Sequence, residues 1–312
     1  MTETRSGFAA IIGAPNAGKS TLVNSLVGSK VSIVTHKVQT TRFPVRGVAM
    51  YGDETQIVLI DTPGIFEPRR RLDRAMVGAA WTGAADADVI CHVVDAPAEA
   101  RLAANAAHPQ DKRAHEDVQR IVEGLTQREQ TALLALNKID QMQPEALLAL
   151  ADRFMQTGAY RRIFMISASK GSGVDDLKKA LADAMPAGPF LYPPDQAADI
   201  PLRLMAAEIT REKLYLRLHE ELPYETAIET ENWEEDEKSI RVHQVIYVAR
   251  DSQKPIVLGR RGQTIKAIGQ AAREEMQESF GRRVHLFLHV KVRANWSEQR
   301  DFYAPFGLDY EA

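Results

Sequence analysis

The 312-residue sequence predicts two domains: an α/β domain with a mainly parallel sheet flanked by helices, then a smaller α+β domain. First, apolar runs such as QIVLID and TALLALN alternate with stretches of helical character in the first part of the chain. Second, the segment 186–201 contains five prolines, so it can continue neither a helix nor a central strand. We therefore expect domains at 1–185 and 202–312, joined by a proline-rich linker.

The third observation is the pattern beyond the linker. LRLMAAEITREKLYLRLH has apolar residues at helical spacing, whereas IRVHQVIYVAR and RVHLFLHVKVR alternate as half-buried strands do. QTIKAIGQAAREEMQESF is again helical in character. The order helix, strand, strand, loop, helix, strand predicts a small α+β domain.

Composition excludes several classes of protein. The single cysteine, Cys91, excludes an internal disulfide framework and an all-cysteine zinc site, and its apolar surroundings predict a buried strand residue. No apolar run is long enough for a membrane span, and MTETRSGF lacks the apolar core of a secretion signal. We expect a cytoplasmic protein.

Charge is distributed unevenly, although the net charge is only −3. Residues 220–239 contain nine acidic residues and one lysine, whereas residues 240–293 contain eleven arginines and lysines and four acidic residues. A basic segment of this kind indicates an anionic partner for the second domain. The acidic stretch WEEDEK (233–238) would repel RNA, so we expect it to face solvent, a protein partner or the basic segment itself.

The segment GAPNAGKS fits the phosphate-binding pattern G-x-x-x-x-G-K-S and stands between an apolar strand and a helical stretch. Backbone N–H groups of such a loop turn toward phosphate oxygens, and the helix N-terminus adds its dipole. Lys19 is expected to bridge the outer phosphates and Ser20 to ligate magnesium. The predicted nucleotide contacts here are Gly13, Ala14, Pro15, Asn16, Ala17, Gly18, Lys19, Ser20 and Thr21.

Three further motifs follow apolar strands, where ligands bind in open α/β sheets. DTPG places Asp61 near a magnesium-bound water and Gly64 near a terminal phosphate. NKID places a carboxylate against the N1 and N2 donors of guanine, which adenine lacks, so the nucleotide is GTP. The backbone of MISAS is expected to face guanine O6. The predicted contacts are Asp61, Thr62, Pro63, Gly64, Asn137, Lys138, Asp140, Ser167 and Ala168.

A second glycine loop, GRRG, lies in IVLGRRGQTIKAIG between the end of a strand or helix and a following helix. G-x-x-G loops let a nucleic-acid backbone come close, whereas the lysine-serine pair of a mononucleotide loop is absent. The predicted RNA-binding residues are Gly259, Arg260, Arg261, Gly262, Lys266 and Arg273. Ile256, Val257, Ile265 and Ile268 are either an apolar floor for bases or plain core.

The ordered motifs resemble those of the translation-factor-like GTPases, and nearly the whole chain resembles the Era family. The segments that carry the resemblance are GAPNAGKS, QTTR, DTPG, NKID, REKLYLRLHEELPYETAIE, IVLGRRGQTIKAIG and VKVRANWSE. The resemblance implies a P-loop GTPase domain followed by a type II KH domain that binds the 3′ end of small-subunit ribosomal RNA during ribosome assembly. It also implies peripheral association with the inner membrane face, and we expect a monomer.

The resemblance further implies the catalytic roles. Thr41 in QTTR becomes the magnesium and γ-phosphate contact, and Thr40 is disfavoured because relatives keep the threonine just before arginine. Ile65 stands where signalling GTPases have a water-orienting glutamine, so hydrolysis should be slow. An asparagine at the place of Asn16 helps to hold potassium in families with this replacement. The expected catalytic residues are Lys19, Thr41, Gly64 and Asn16, and the metal ligands are Ser20, Thr41 and Asp61.

Alternatives remain open at this point. One is a membrane-associated signalling GTPase whose second domain is a protein or lipid adaptor; another is an RNA-modifying enzyme, for which the second domain offers no nucleophile or metal cluster. One arginine of Arg69–Arg71 could reach a phosphate, although a solvated charged face is favoured. The segment around Arg101 to His115 reads as a surface insertion, and a metal site at its histidines is not expected.

Overall fold

A computed structural model describes residues 4–37, 39–218 and 222–312 of the chain. It divides into two compact units. Unit 1 comprises Met1–Ser32, Thr41–Asp199 and Phe306–Ala312; unit 2 comprises Ile33–Thr40 and Ile200–Pro305.

Unit 1 contains a seven-stranded sheet with strand order β6-β5-β4-β1-β3-β2-β7. Its neighbours pair in parallel, except that β2 is antiparallel to both β3 and β7. Every residue of β3 is buried, as expected for a strand covered on both faces. The strands are β1 Arg5–Ile12, β2 Val45–Tyr51, β3 Thr55–Asp61, β4 Val89–Asp95, β5 Ala132–Asn137, β6 Tyr160–Met165 and β7 Ala198–Asp199.

Helices cover both faces of this sheet and form two apolar clusters with it. Leu22 and Leu177 belong to one cluster, and Ile121 and Leu150 belong to the other. The mainly parallel α/β fold predicted from the alternation is confirmed. The helices are α1 Lys19–Val27, α2 Arg71–Ala85, α3 Ala96–Ala103, α4 Pro109–Gln127, α5 Pro144–Met155 and α6 Val174–Asp183.

The proline-rich segment, predicted as a linker at 186–201, packs against strands of unit 1. The Ser6 hydroxyl donates to the Pro189 carbonyl (2.6 Å), and Gln56 Oε1 accepts the N–H groups of Leu191 and Tyr192. Strand β7 then pairs with β2 at the sheet edge. Proline prevents a regular helix but not packing in extended form, so the chain leaves unit 1 only after Asp199.

The last residues also differ from the expected 202–312 domain, because Phe306–Ala312 belongs to unit 1. Phe306 stacks on Phe43 with ring centroids 4.7 Å apart, and the Arg71 guanidinium lies 4.4 Å from the centroid of the Tyr310 ring. Of the three arginines 69–71, the first two are exposed, as favoured from the sequence, whereas Arg71 holds this C-terminal segment.

The expected surface insertion at 101–115 is mostly helical, since α3 extends into it and α4 begins at Pro109. Arg101 pairs with the buried Asp111 at 2.6 Å. His115 Nδ1 lies 3.0 Å from the buried carboxylate of Glu99. Ion pairs therefore hold this segment against the rest of unit 1. Such pairs leave no apolar periodicity in the sequence, so they could not be predicted from it.

Unit 2 has a three-stranded sheet of order β10-β9-β8, in which β9 pairs antiparallel with β8 and parallel with β10. The predicted order helix, strand, strand, loop, helix, strand is confirmed. The residues before GRRG, predicted as the end of either a strand or a helix, form a short helix. The elements are α7 Leu202–Arg217, β8 Thr226–Glu235, β9 Ser239–Val248, α8 Lys254–Leu258, α9 Gln263–Phe280 and β10 Arg283–Val292.

The helices of unit 2 pack with the sheet around an apolar cluster that includes Leu214, Ile246, Val257 and Ile268. Glu221 at the start of ELPY lies outside the described residues. No helix in the described parts of either unit is long and apolar enough to cross a membrane.

Candidate nucleotide site and RNA interface

The phosphate loop joins β1 to α1 and is shaped by close backbone contacts. Gly18 has φ 98°, and a Cβ there would lie 2.3 Å from Asn137 Nδ2, so a side chain does not fit. Lys19 is buried, and its Nζ donates to the carbonyls of Gly13 (3.1 Å) and Ala14 (3.0 Å). Burial lowers the pKa of Lys19 to about 8, although Asp61 opposes this change. Thr21 follows in the first turn of α1.

Three oxygen-bearing side chains converge beside this lysine. The Ser20 and Thr41 hydroxyl oxygens are 2.9 Å apart, and Thr41 Oγ1 lies 3.4 Å from Asp61 Oδ2. Burial raises the pKa of Asp61, and its buried Oδ1 has no hydrogen-bond partner among the described residues. Hydroxyl and carboxylate oxygens are hard ligands of the kind that Mg²⁺ binds, together with phosphates and water.

Thr40, the other threonine of QTTR, forms different hydrogen bonds. Thr40 Oγ1 donates to the Lys37 carbonyl at 2.7 Å and lies 2.6 Å from Thr35 Oγ1. The structure therefore places Thr41, rather than Thr40, with Ser20 and Asp61.

The DTPG segment continues from the end of β3. The Thr62 hydroxyl donates to the Ile11 carbonyl at 2.8 Å, and Pro63 and Gly64 are buried. A Cβ at Gly64 would lie 3.0 Å from Pro15 Cγ, so this backbone packs closely on the phosphate loop. Ile65 is wholly buried in the apolar cluster. Its side chain cannot orient a water molecule.

The base motifs form one hydrogen-bonded group. Asn137 Nδ2 donates to the Ala17 carbonyl (2.9 Å), and its Oδ1 accepts the N–H of Ala168 (3.0 Å). The Ser167 hydroxyl donates to Asp140 Oδ1 at 2.6 Å. The backbone of Ala168 was expected to face guanine O6, but its N–H donates to Asn137 of the NKID motif.

Sequence reasoning missed Asp95 in this group. Lys138 Nζ donates to the Asn16 carbonyl at 2.9 Å and to Asp95 Oδ2 at 2.5 Å. Asp95 ends β4, so its position after an apolar strand was the available signal. Asn16 itself has φ 62° and is exposed on the loop.

In unit 2, the GRRG loop joins α8 to α9. Gly259 has φ 71° and ψ 171°, and a Cβ there would lie 2.1 Å from Thr264 Oγ1. Gly262 also has positive φ, but a Cβ there would meet open space. Arg260 and Arg261 are exposed at the tip. The loop therefore presents two guanidinium groups on a backbone that glycine makes possible.

Two other basic residues, Lys266 and Arg273, are exposed along α9. Within the described ranges, no acidic side chain forms an ion pair with either of them. Of the four candidate floor residues, Val257 and Ile268 are fully buried core, whereas Ile256 is 56 % exposed. Ile265 is half-buried.

The acidic stretch 233–238 contacts basic residues of its own unit. Glu235 pairs with Arg282 at 3.3 Å, and Glu234 lies 3.9 Å from Arg241. Trp233 contacts Phe280 edge-on, with centroids 6.2 Å apart. Residues 234–238 are exposed, so the stretch faces solvent, and these ion pairs also join it to the basic segment.

The fold and the site together define a P-loop GTPase with a C-terminal KH domain. Residues 8–138 match the family model of a 50S ribosome-binding GTPase, and residues 221–297 match the KH domain model. The chain is 60 % identical over 311 residues to GTPase Era of Caulobacter vibrioides, covering 99 % of this chain and 98 % of the relative. It is 57 % identical over 311 residues to GTPase Era of Maricaulis maris, covering 99 % of each chain.

Solved structures agree. A crystal structure of Era with MgGDPNP and nucleotides 1506–1542 of 16S ribosomal RNA matches with TM-score 0.86 at 37 % identity, covering 97 % of this chain and 99 % of that one. A crystal structure of Aquifex aeolicus Era bound to GDP and AlF4⁻ matches with the same scores and coverage. The chain belongs to the Era family of GTPases. The predicted fold and GTPase activity are confirmed.

Proposed function

We propose that this protein is a GTP-hydrolysing switch that binds the 3′ end of small-subunit ribosomal RNA and assists maturation of the small ribosomal subunit. The observation that carries the proposal is the exposed pair Arg260 and Arg261 on a glycine-bounded loop, in a chain whose other unit has a complete set of guanine-nucleotide motifs. The Era structure that contains 16S ribosomal RNA nucleotides supports the same partner.

In unit 1, the nucleotide is held by the loop and strand ends already described. Lys19 exchanges its two carbonyl partners for phosphate oxygens, and Asp140 accepts the guanine N1 and N2 donors. Ser20, Thr41 and Asp61 hold magnesium, for which the unsatisfied Asp61 oxygen is suited. Magnesium held by these residues would neutralise negative charge on the outer phosphates.

Hydrolysis depends on groups other than residue 65, because Ile65 is buried. The backbone N–H of Gly64 would meet the terminal phosphate, and a potassium ion held by Asn16 would supply positive charge there. Asn16 is suited to this role by its exposed position in the phosphate loop.

In unit 2, the RNA backbone approaches the GRRG loop at Gly262, where a Cβ would meet only open space. Arg260, Arg261, Lys266 and Arg273 provide positive charge for phosphates. Ile256, exposed just before the loop, provides apolar surface for a base.

Crosslinking of the GTP-bound protein in cells, followed by sequencing of attached RNA, tests the proposal. We expect enrichment at the 3′ terminus of small-subunit ribosomal RNA; RNA without any preferred site would contradict it. The adaptor alternative and the expected peripheral membrane contact are tested by sedimentation with anionic liposomes after RNase treatment. Retained liposome binding together with no RNA preference would favour the adaptor.

A further inference from the structure

The described residues of the segment Ile33–Thr40 belong to unit 2, although the residues on either side of the segment belong to unit 1. The N–H of Val34 donates to Glu212 Oε1 at 2.9 Å, and an Arg211 N–H donates to the Thr40 carbonyl at 2.5 Å. Both acceptor and donor side chains come from helix α7. The two ends of the segment Ile33–Thr40 are thus fastened to one turn of that helix.

Arg211 and Glu212, which hold the segment, are both buried. Charged side chains are rarely buried unless they are paired. Arg211 is 2 % exposed and Glu212 is 3 % exposed. Arg211 also forms a two-bonded ion pair with Glu208, its Nε lying 2.7 Å from Glu208 Oε1. Because Glu208 fixes the guanidinium plane, the remaining contact to Thr40 has a defined direction.

The contacts of Glu212, though not those of Arg211, continue to the helix that follows the GRRG loop. Lys213 Nζ lies 2.7 Å from Glu212 Oε2 and also pairs with Glu275 of α9. Helix α9 begins immediately after Gly262. A continuous path of hydrogen bonds and ion pairs therefore runs from Val34 through α7 to the RNA-binding helix.

At its other end, the segment is one peptide bond from Thr41. Thr41 lies with Ser20 and Asp61 in unit 1, where the magnesium-bound nucleotide is proposed to hold it. A change in the position of Thr41 on nucleotide exchange must be absorbed by the Thr40 peptide, which Arg211 holds.

We infer that Arg211 and Glu212 are positioning residues that transmit the nucleotide state from Thr41 to helix α9. The inference rests on the proposed function only in assuming that Thr41 contacts the magnesium-bound nucleotide. The nucleotide site and the proposed RNA site would then both bias the conformation of the segment Ile33–Thr40. Energetic coupling between two sites requires such a shared element.

Amide hydrogen exchange on the full chain, loaded with GDP or with a non-hydrolysable GTP analogue, tests the inference without RNA. In the unmodified chain, we expect protection of both 33–40 and α9 to differ between the two nucleotides. Arg211→Lys and Glu212→Ala should each reduce the difference in α9 protection between the two nucleotides at least fivefold relative to the unmodified chain. Glu212→Gln, which keeps an acceptor for Val34, should restore it.

Arg203→Lys is the matched control, because Arg203 lies on the same helix but donates to the Thr230 carbonyl at 2.9 Å. It should leave the α9 difference unchanged. Should Glu212→Ala unfold, Val34→Pro removes the same hydrogen bond from the segment side and should have the same effect. An α9 difference that survives Arg211→Lys and Val34→Pro, or that is absent from the unmodified chain, overturns the inference. Failure of RNA binding would instead refute the proposed function and leave this readout unaffected.

Discussion

The Ser167 hydroxyl donates a 2.6 Å hydrogen bond to Asp140 Oδ1, so the motif after β6 orients the carboxylate of the motif after β5. An oriented carboxylate discriminates between purines, because adenine would leave it without donors.

Asp140→Asn should therefore weaken GTP binding about 100-fold or more and improve binding of xanthosine triphosphate, whose base offers an acceptor to the new amide. Calorimetric titration with both nucleotides measures the change. Asp152→Asn, the same substitution at an exposed position of α5, serves as the control. Unaltered GTP affinity in Asp140→Asn would contradict the assignment of the base contact.

Lys19 should take up a proton when nucleotide binds at alkaline pH. In the free protein its lowered pKa, about 8, means that the ammonium loses its proton as pH rises through 8. Phosphate oxygens favour the charged form, so binding above pH 8 recovers that proton, and affinity should fall by up to about tenfold per pH unit. Calorimetry in two buffers of different ionisation enthalpy should show uptake of nearly one proton at pH 9 and almost none at pH 6.5. Equal heats in both buffers at pH 9 would refute this.

The two glycines of the GRRG loop should tolerate substitution unequally. Gly259→Ala places a Cβ against Thr264 in a backbone region open almost only to glycine, which should cost about 3 kcal/mol or more. Gly262→Ala faces open space and should cost about 1 kcal/mol for its left-handed conformation. Urea unfolding measures both free energies. Equal losses would show that the clash at Gly259 is relieved by a small shift.

Removal of residues 306–312 should destabilise unit 1 rather than unit 2. The segment contributes the Phe306–Phe43 stack and the Arg71–Tyr310 contact, together about 1–3 kcal/mol. Urea unfolding followed by hydrogen exchange assigns the loss to a unit. Tyr310→Phe keeps the ring and is the control. A truncated chain with unchanged protection in β2 and α2 would contradict the boundary.

The elements that sequence predicted best are those specified by short-range spacing. GAPNAGKS, the strand-end motifs and GRRG each need only a few neighbouring residues, and the apolar periodicities around them sufficed for the order of strands and helices. The convergence of Ser20 with Asp61 follows once both are placed at the same end of the sheet.

Contacts between polar groups that are far apart in the chain could not be predicted from the sequence. Arg211 and Thr40 are 171 residues apart, and nothing in the pattern REKLYLRL distinguishes a buried arginine from a solvated one. The proline-rich segment was likewise predictable as irregular but not as packed, because the acceptor that holds it is the Gln56 side chain of β3.

The central claim is that unit 2 holds single-stranded RNA through its glycine-bounded loop. Filter binding of the GTP-analogue-loaded full chain to a 3′-terminal small-subunit ribosomal RNA fragment tests it most directly. Arg260→Glu combined with Arg261→Glu should lower affinity about 100-fold or more, because both phosphate contacts become repulsive. Arg161→Glu with Arg162→Glu, the same charge reversal at exposed positions of β6, should change it little. Equal affinities for these two folded variants and the unmodified chain would contradict the account.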